Sequence, residues 1–204
     1  MTLYHSPTSP YVRKVMMVLI ETDQLADVQI SPAAGTPLDS TNMPLSQNPL
    51  GKIPVLTRPD GPALFDSRVI CRYLDDRAGT GLYPKGEAIW ASLTFEALCD
   101  GVLDAAIAMV YEKRLRSEGS HSDPVLDGYW SKIDRALASV EERWMSHLTR
   151  PKKITSITLG AALGYLDFRH SARDWRASRP ELANWFTTFS VRDAFVQTAP
   201  PETA

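Results

Sequence analysis

The chain has 204 residues, with 22 basic and 24 acidic side chains, a net charge of −2 and a hydrophobic fraction of 44%. This balance excludes the basic stripe of a nucleic-acid-binding protein and the basic patch of a membrane-surface protein. No stretch reaches the roughly 20 apolar residues of a membrane span, and the start of the chain carries no basic-then-apolar signal. We therefore expect a cytoplasmic protein whose partners are small molecules or proteins.

The first part of the chain has the pattern of an α/β domain, in the order βαβ, a loop, then ββα. Pro-Asp-Gly at Pro59–Gly61 is a turn signal and predicts a hairpin. The predicted elements are strands at Thr2–His5, Asp27–Ser31, Val55–Thr57 and Ala63–Phe65, and helices that start at Pro10 and at Asp66-Ser67, the latter capped by Gly79.

The dipeptide Ser9-Pro10 has the form of a helix N-cap followed by a proline at the first helical position. Unpaired backbone N–H groups and the helix dipole favour an anion at such a terminus, and a thiolate is one anion that would suit it. The alternative is that Ser9 only caps the helix, as most serines at this position do.

The second part of the chain predicts helices alone. A Gly-rich break at Gly79–Gly86 separates it from the first part, so we expect domains at 1–78 and 87–204 with a linker at 79–86. Cys71 and Cys99 lie in apolar helical patterns without metal-ligand spacing, which predicts buried thiols and no metal site. Helices are predicted over Glu87–Arg116 with a possible bend at Gly101, from Asp123, over Ile154–Phe168 and from Arg179, followed by a disordered tail at Ala199–Ala204.

Four segments, in this order, resemble the glutathione transferase family over nearly the whole chain. Ser6–Lys14 is similar to the turn that faces the glutathione sulfur, and Asn48–Leu56 to the family's cis-proline segment. Asp66–Leu74 resembles the helix start that holds the γ-glutamyl group, and Gly160–Arg169 the central helix of bacterial members. The resemblance implies a thioredoxin-like domain followed by an all-helical domain, and a homodimer.

The resemblance assigns a role in glutathione binding to each matching residue. Ser9 would stabilise the thiolate, while Ile53 and Pro54, in cis, would pair with the cysteinyl part of the tripeptide. Asp66 and Ser67 would receive the γ-glutamyl end, or act only as a helix cap. We further expect Lys52 to pair with the glycyl carboxylate, although a loop lysine is usually only solvated.

Stabilising the thiolate is within the capacity of a serine at a helix N-terminus. The thiol of free glutathione has a pKa of about 8.5. Lowering this pKa by two units requires about 2.7 kcal/mol, within reach of one charge-assisted hydrogen bond and the helix dipole. Because position 9 carries a hydroxyl and not a thiol, a mixed disulfide is excluded there.

Three positions of the helical domain have open interpretations. Tyr111 would line the electrophile pocket or belong to the bundle core, and Asp100 would reach the partner subunit's site or lie on a solvated face. The central helix has Lys153 and Ser156 where many members carry a capping box, so Thr155 could take over as N-cap and start the helix later.

The leading functional hypothesis is conjugation of glutathione to a small hydrophobic electrophile, in the manner of a detoxification enzyme. A related lyase, dehalogenase or peroxidase would share the same residues. A non-catalytic binding or regulatory module is the third possibility, although such a module need not retain all the glutathione-holding motifs. The identity of the electrophile does not follow from the sequence.

Overall fold

The computed structural model describes residues 1–117, 119–150 and 152–202, which form two compact units. The first comprises Met1–Lys85 with the C-terminal segment from Asp193, and the second is Gly86–Arg192. A sheet flanked by helices makes up the first unit, and the described secondary structure of the second is helical. The predicted fold class, a thioredoxin-like α/β domain followed by an all-α domain, is confirmed. None of the described helices is both long and apolar enough to cross a membrane.

The first unit contains a four-stranded sheet in the order β2-β1-β3-β4. Strand β1 runs parallel to β2 and antiparallel to β3, and β3 and β4 form the predicted hairpin. The second strand begins two residues later than predicted, because Leu25–Asp27 forms a 3₁₀ turn. The elements are β1 (Thr2–His5), α1 (Pro10–Glu21), β2 (Gln29–Pro32), β3 (Val55–Arg58), β4 (Gly61–Leu64) and α2 (Ser67–Ala78).

The core of the first unit lies between the sheet and helices α1 and α2. On α1, Val12, Val15 and Leu19 are each 0% exposed, and so is Leu74 on α2. At about 25 cal/mol per Å² of buried apolar surface, this packing is the main force that holds both helices to the sheet. Helix α2 ends as predicted at Gly79, whose φ of 64° is left-handed.

The topology brings three chain segments to one edge of the sheet. Because β1 pairs antiparallel with β3, with Tyr4 opposite Val55, the end of β1 lies beside the start of β3. Strand β4 is antiparallel to β3 and therefore ends at the same edge as β1. The turn that leads into α1, the segment before β3 and the start of α2 consequently meet there.

The second unit is built around helix α3, which packs against α4 and α5. Helix α3 runs without interruption through Gly101, and Cys99 on α3 and Cys71 on α2 are both buried, as predicted. The predicted central helix, α5, is buried almost all round. The elements are α3 (Ala88–Leu115), α4 (Asp123–Arg143), a 3₁₀ turn (Met145–Leu148), α5 (Ile154–His170) and α6 (Pro180–Ser190).

The start of α5 lacks the capping box of the family pattern. Lys153 occupies the N-cap position and makes no side-chain capping bond, so Thr155 does not take over as N-cap and the helix does not start later. Instead, the Thr155 hydroxyl donates to the His147 carbonyl at 3.2 Å and the Ser156 hydroxyl to the Arg150 carbonyl at 3.0 Å. These bonds tie the first turn of α5 to the segment before it.

The expectation that Asp100 lies on a solvated helix face is wrong, because this side chain is only 7% exposed. Glu96, one turn earlier on α3, is fully buried. Helix α3 packs against helices on more than one side, so positions that would be solvated on a surface helix turn inward.

A short C-terminal helix, α7 (Asp193–Gln197), is absent from the predicted elements. It packs against α1, where the Arg13 guanidinium donates to the Phe195 carbonyl at 2.9 Å and lies 3.8 Å from the centroid of the Phe195 ring. In the tail predicted to be disordered, the Ala199 amide donates to the Val196 carbonyl, while residues 203–204 lie outside the described part of the chain.

Candidate functional site

Ser9 lies where the turn after β1 enters α1. Its backbone is extended, with φ −82° and ψ 119°, and its Oγ accepts a hydrogen bond from the Val12 amide at 3.3 Å. Because Oγ uses a lone pair for this bond, the hydroxyl hydrogen is available to donate to a ligand at the helix N-terminus. The neighbouring Ser6 hydroxyl lies 3.2 Å from the Thr8 hydroxyl, so Ser6 has a local partner.

The segment before β3 is held by Asn48, which is 2% exposed. Its side-chain amide donates to the Lys52 carbonyl at 2.8 Å, and its Oδ1 accepts from the Leu50 amide at 3.1 Å. The following Ile53-Pro54 peptide bond is cis, as the family resemblance implies. Lys52 is exposed, Ile53 is half-buried and Pro54 is buried, so the backbone at Ile53 stays within reach of a ligand while Pro54 anchors the start of β3.

Asp66 caps α2 by accepting a hydrogen bond from the Arg68 amide at 3.0 Å. Its carboxylate also pairs with the Arg68 guanidinium at 2.7 Å, and both side chains are about half exposed. Ser67, the first residue of the helix, is 2% exposed. Asp66 and Ser67 therefore both lie at the N-terminus of α2, as predicted. The ion pair between Asp66 and Arg68 was not predicted from the sequence.

Opposing effects act on the pKa of the Asp66 carboxyl. Partial burial raises this pKa, but the hydrogen bonds from Arg68 and the positive charges of Arg68 and Lys14 together outweigh it, so the net pKa is lowered. The side chain of Lys14, on α1, is fully buried. The effect of the Lys14 charge on the pKa of Asp66 agrees with the topology, which brings the first turn of α1 and the first turn of α2 to the same edge of the sheet.

The structure thus brings six of the seven predicted site residues to one region of the first unit: Ser9, Lys52, Ile53, Pro54, Asp66 and Ser67. Tyr111, the remaining one, lies half-buried on α3 of the second unit. Among the described residues, no group of three or more His, Cys, Asp or Glu side chains could hold a metal ion.

No role in the site was predicted from the sequence for three residues that lie near it: Asn48, Arg68 and Lys14. Asn48 gives only a weak turn signal in the sequence, because nothing in the sequence shows that its side chain bonds to the Lys52 carbonyl four residues later. Arg68 has a stronger one, since a basic residue two positions after an acidic N-cap can fold back onto it. The burial of Lys14 follows from α1–α2 packing and leaves no local signal.

Comparison with known proteins agrees with this geometry. Residues 3–82 match the family model described as the glutathione S-transferase N-terminal domain. The chain is 31% identical over 206 residues to the GST-like protein YibF of Escherichia coli strain K12, a match that covers 99% of this chain and 100% of that one. The chain belongs to the glutathione transferase family.

Solved structures of transferase family members show the same fold along the chain. A member from Pseudomonas fluorescens Pf-5 with bound glutathione is 44% identical with a TM-score of 0.94, covering 98% of both chains. A structure from the same organism with bound S-(propanoic acid)-glutathione is also 44% identical, with a TM-score of 0.90, and the match covers 98% of this chain and 100% of that one. A glutathione-bound transferase from Methylobacillus flagellatus KT is 36% identical with a TM-score of 0.84, covering 98% and 99%.

Proposed function

We propose that this transferase family member binds glutathione and conjugates its thiolate to a small electrophile, with the Ser9 hydroxyl donating a hydrogen bond to the sulfur. The observation that carries the proposal is the position of Ser9. Its Oγ accepts from the Val12 amide at 3.3 Å, and its hydroxyl hydrogen is left to donate where the helix dipole favours negative charge. Glutathione bound to solved relatives of the same fold supports it.

The proposed step couples thiol ionisation to substitution at carbon. Bound glutathione loses its thiol proton to solvent, and the hydroxyl bond and the dipole stabilise the resulting thiolate. A sulfur lone pair then forms the carbon–sulfur bond, and the leaving group departs with the electron pair of the bond that breaks. Ser9 stays neutral throughout and acts as a hydrogen-bond donor, not as a base.

The remaining predicted residues hold the tripeptide in this proposal. The Ile53 backbone pairs with the cysteinyl part, and Lys52 pairs with the glycyl carboxylate. Asp66 and Ser67 bind the γ-glutamyl end, where the lowered pKa keeps the Asp66 carboxylate ionised to receive an ammonium group. Because Arg68 already pairs with Asp66, the ligand shares that carboxylate with it.

Tyr111 lines the electrophile pocket in this proposal. The relative that holds S-(propanoic acid)-glutathione supports a site that accommodates a substituent on the glutathione sulfur. We also propose a cytoplasmic homodimer, as the family resemblance implies. Light scattering on the purified chain measures the mass directly, and a monomer at micromolar concentration would contradict the dimer.

Calorimetric titration with glutathione and a conjugation assay with a chloronitrobenzene test the central proposal. We expect saturable binding by the wild type and a conjugation rate that falls at least tenfold in Ser9→Ala. Ser6→Ala is the matched control, because it removes a hydroxyl from the same turn, and it should retain the rate. Wild-type protein that binds glutathione but conjugates no electrophile would instead indicate a non-catalytic binding module.

A further inference from the structure

A histidine ends the first strand of the sheet, at the edge where the candidate site lies. His5 is the last residue of β1, and on one side it pairs with Pro32 of β2. On the other side, the antiparallel register that places Tyr4 opposite Val55 continues to Pro54. His5 therefore lies beside the segment that precedes β3, within the first unit and next to residues already assigned to the site.

The His5 side chain lies on the face of the sheet that α1 and α2 cover. Side chains alternate between the two faces of a strand, so His5 is on the same face as Leu3. Leu3 is 0% exposed, whereas the intervening Tyr4 is only half-buried, so the Leu3 face is the one that packs against the helices. His5 is half-buried on this face, at the edge of the core. The strand thus fixes its position while the ring stays accessible to a ligand.

A tight turn leads from His5 to Ser9. The Ser9 amide donates to the Ser6 carbonyl at 3.1 Å, a four-residue turn in which the first and last Cα atoms lie within about 7 Å of each other. The Ser6 and Thr8 hydroxyls, 3.2 Å apart, add a second contact within the turn. Because His5 directly precedes Ser6, the imidazole and the Ser9 hydroxyl flank the same short turn.

The imidazole of His5 has an unused hydrogen-bonding capacity. Within the described part of the chain, no hydrogen bond or ion pair engages this ring. The charged groups that the neighbouring elements bring to this edge are Lys52 before β3, Lys14 on α1, and Asp66 and Arg68 at the start of α2, and none of them shifts the pKa of His5. Burial alone lowers this pKa, so the ring is neutral at pH 7 and one of its nitrogens carries a free lone pair.

We propose that His5 is a second catalytic residue, which accepts the proton that leaves the thiol of bound glutathione. This proposal rests on the proposed function, which places the glutathione sulfur at Ser9, and it adds the group that takes the proton before solvent does. Ser9 cannot do so, because it acts as a hydrogen-bond donor. A neutral imidazole is the side chain best suited to accept a proton near pH 7.

The proton transfer is balanced without any further reactant. The sulfur–hydrogen bond breaks and its electron pair stays on sulfur, while a lone pair of the imidazole forms the new nitrogen–hydrogen bond. The resulting imidazolium faces the thiolate until it releases the proton to solvent, which restores the neutral ring. The hydroxyl of Ser9 and the charge of the imidazolium then favour the thiolate together.

Nuclear magnetic resonance of the histidine side chains tests the transfer in the wild-type protein. The chain has four histidines, so the His5 ring signals can be assigned by triple-resonance experiments and by their loss in His5→Gln. The pKa of His5 is measured with saturating glutathione and with S-methylglutathione, which has no thiol to ionise. We expect this pKa to be about one unit higher with glutathione, because only then does a thiolate face the ring.

The pH dependence of conjugation tests the catalytic part of the proposal. At pH 6.5, His5→Gln should reduce the rate about tenfold, a modest effect for a lost proton acceptor because solvent remains as an alternative. The difference should narrow above about pH 8.5, where the thiol ionises without an acceptor. His121→Gln is the matched control, because His121 is exposed and belongs to the second unit, and it should keep the wild-type rate at each pH.

Each contrary result identifies which proposal fails. If glutathione binds and the pKa of His5 is the same with both ligands, His5 is not the proton acceptor, and the proposed function stands. If His5→Gln slows conjugation by the same factor at every pH, His5 has a positioning role and the proposal is again wrong. If glutathione does not bind the wild type, both the proposal and the proposed function fail. Should His5→Gln not fold, the comparison of the two ligands on the wild type decides by itself.

Discussion

Replacing Asn48 by alanine should destabilise the first unit and weaken glutathione binding. The substitution removes the donor to the Lys52 carbonyl and the acceptor for the Leu50 amide, at 2.8 and 3.1 Å. Each intramolecular bond contributes about 1 kcal/mol, and a buried side chain that is truncated leaves its former partners less well paired. We therefore expect a loss of about 2 kcal/mol in the free energy of unfolding.

Urea denaturation measures this loss directly. With a slope of about 2 kcal/mol per molar urea, the midpoint of Asn48→Ala should fall by about 1 M. Asn48→Asp retains the oxygen that accepts from Leu50 but cannot donate to Lys52, so its midpoint should lie between those of the wild type and the alanine variant. Asn42→Ala, at an exposed position in the same loop, is the control and should change stability by less than about 0.5 kcal/mol.

The same variants connect the loop to ligand binding. Because Asn48 fixes the carbonyl immediately before Ile53, we expect Asn48→Ala to raise the dissociation constant for glutathione several-fold, whereas Asn42→Ala leaves it unchanged. The reasoning would be refuted if Asn48→Ala unfolded at the same urea concentration as Asn42→Ala, because the two hydrogen bonds would then contribute nothing to the loop.

Three further predictions concern the rest of the chain. Asp75→Ala should cost about 3 kcal/mol in urea denaturation, because this 6% exposed carboxylate accepts three hydrogen bonds from the segment after α2; a loss below about 1 kcal/mol would contradict that role. Gly160→Ala should lower the melting temperature, because the added Cβ would collide with the Phe189 ring. Gly101→Ala should raise the melting temperature, because a Cβ there meets nothing within 4 Å and alanine favours a helix more than glycine does. Equal melting temperatures for the two variants would refute the packing argument. Burial lowers the pKa of the His170 imidazole, so as the pH falls the unfolded chain binds a proton at this side chain before the folded chain does. The free energy of unfolding should therefore fall as the pH drops below about 6.5. His170→Gln should lessen that fall, and the same dependence of stability on pH in both proteins would contradict this role of His170.

Local signals in the sequence were sufficient for much of the fold. The Ser9-Pro10 and Asp66-Ser67 helix starts, the Gly79 cap and the Pro-Asp-Gly hairpin each follow from backbone geometry over a few residues, and the structure has all of them. Their order along the chain then sufficed to suggest the family. The predicted ends of the elements were less accurate. The second strand was predicted to start at Asp27, but Leu25–Asp27 forms a 3₁₀ turn, and the sequence pattern there does not distinguish this turn from a strand.

Features that depend on packing between distant segments could not be predicted in this way. Helix α7 has only five residues, too few for a periodic pattern, and it is held by Arg13 from the other end of the chain. Asp100 looks like a surface residue unless one knows that α3 is covered by neighbouring helices.

The ionisation of bound glutathione tests the role of Ser9 most directly. A pH titration of the protein-bound thiol, followed by the ultraviolet absorbance of the thiolate, should give a pKa about two units below the free value of about 8.5. In Ser9→Ala we expect this pKa to rise by about one unit, or about 1.4 kcal/mol, because the helix dipole remains while the hydroxyl bond is lost. A bound thiol that titrates at the same pH in wild type and Ser9→Ala would contradict the account.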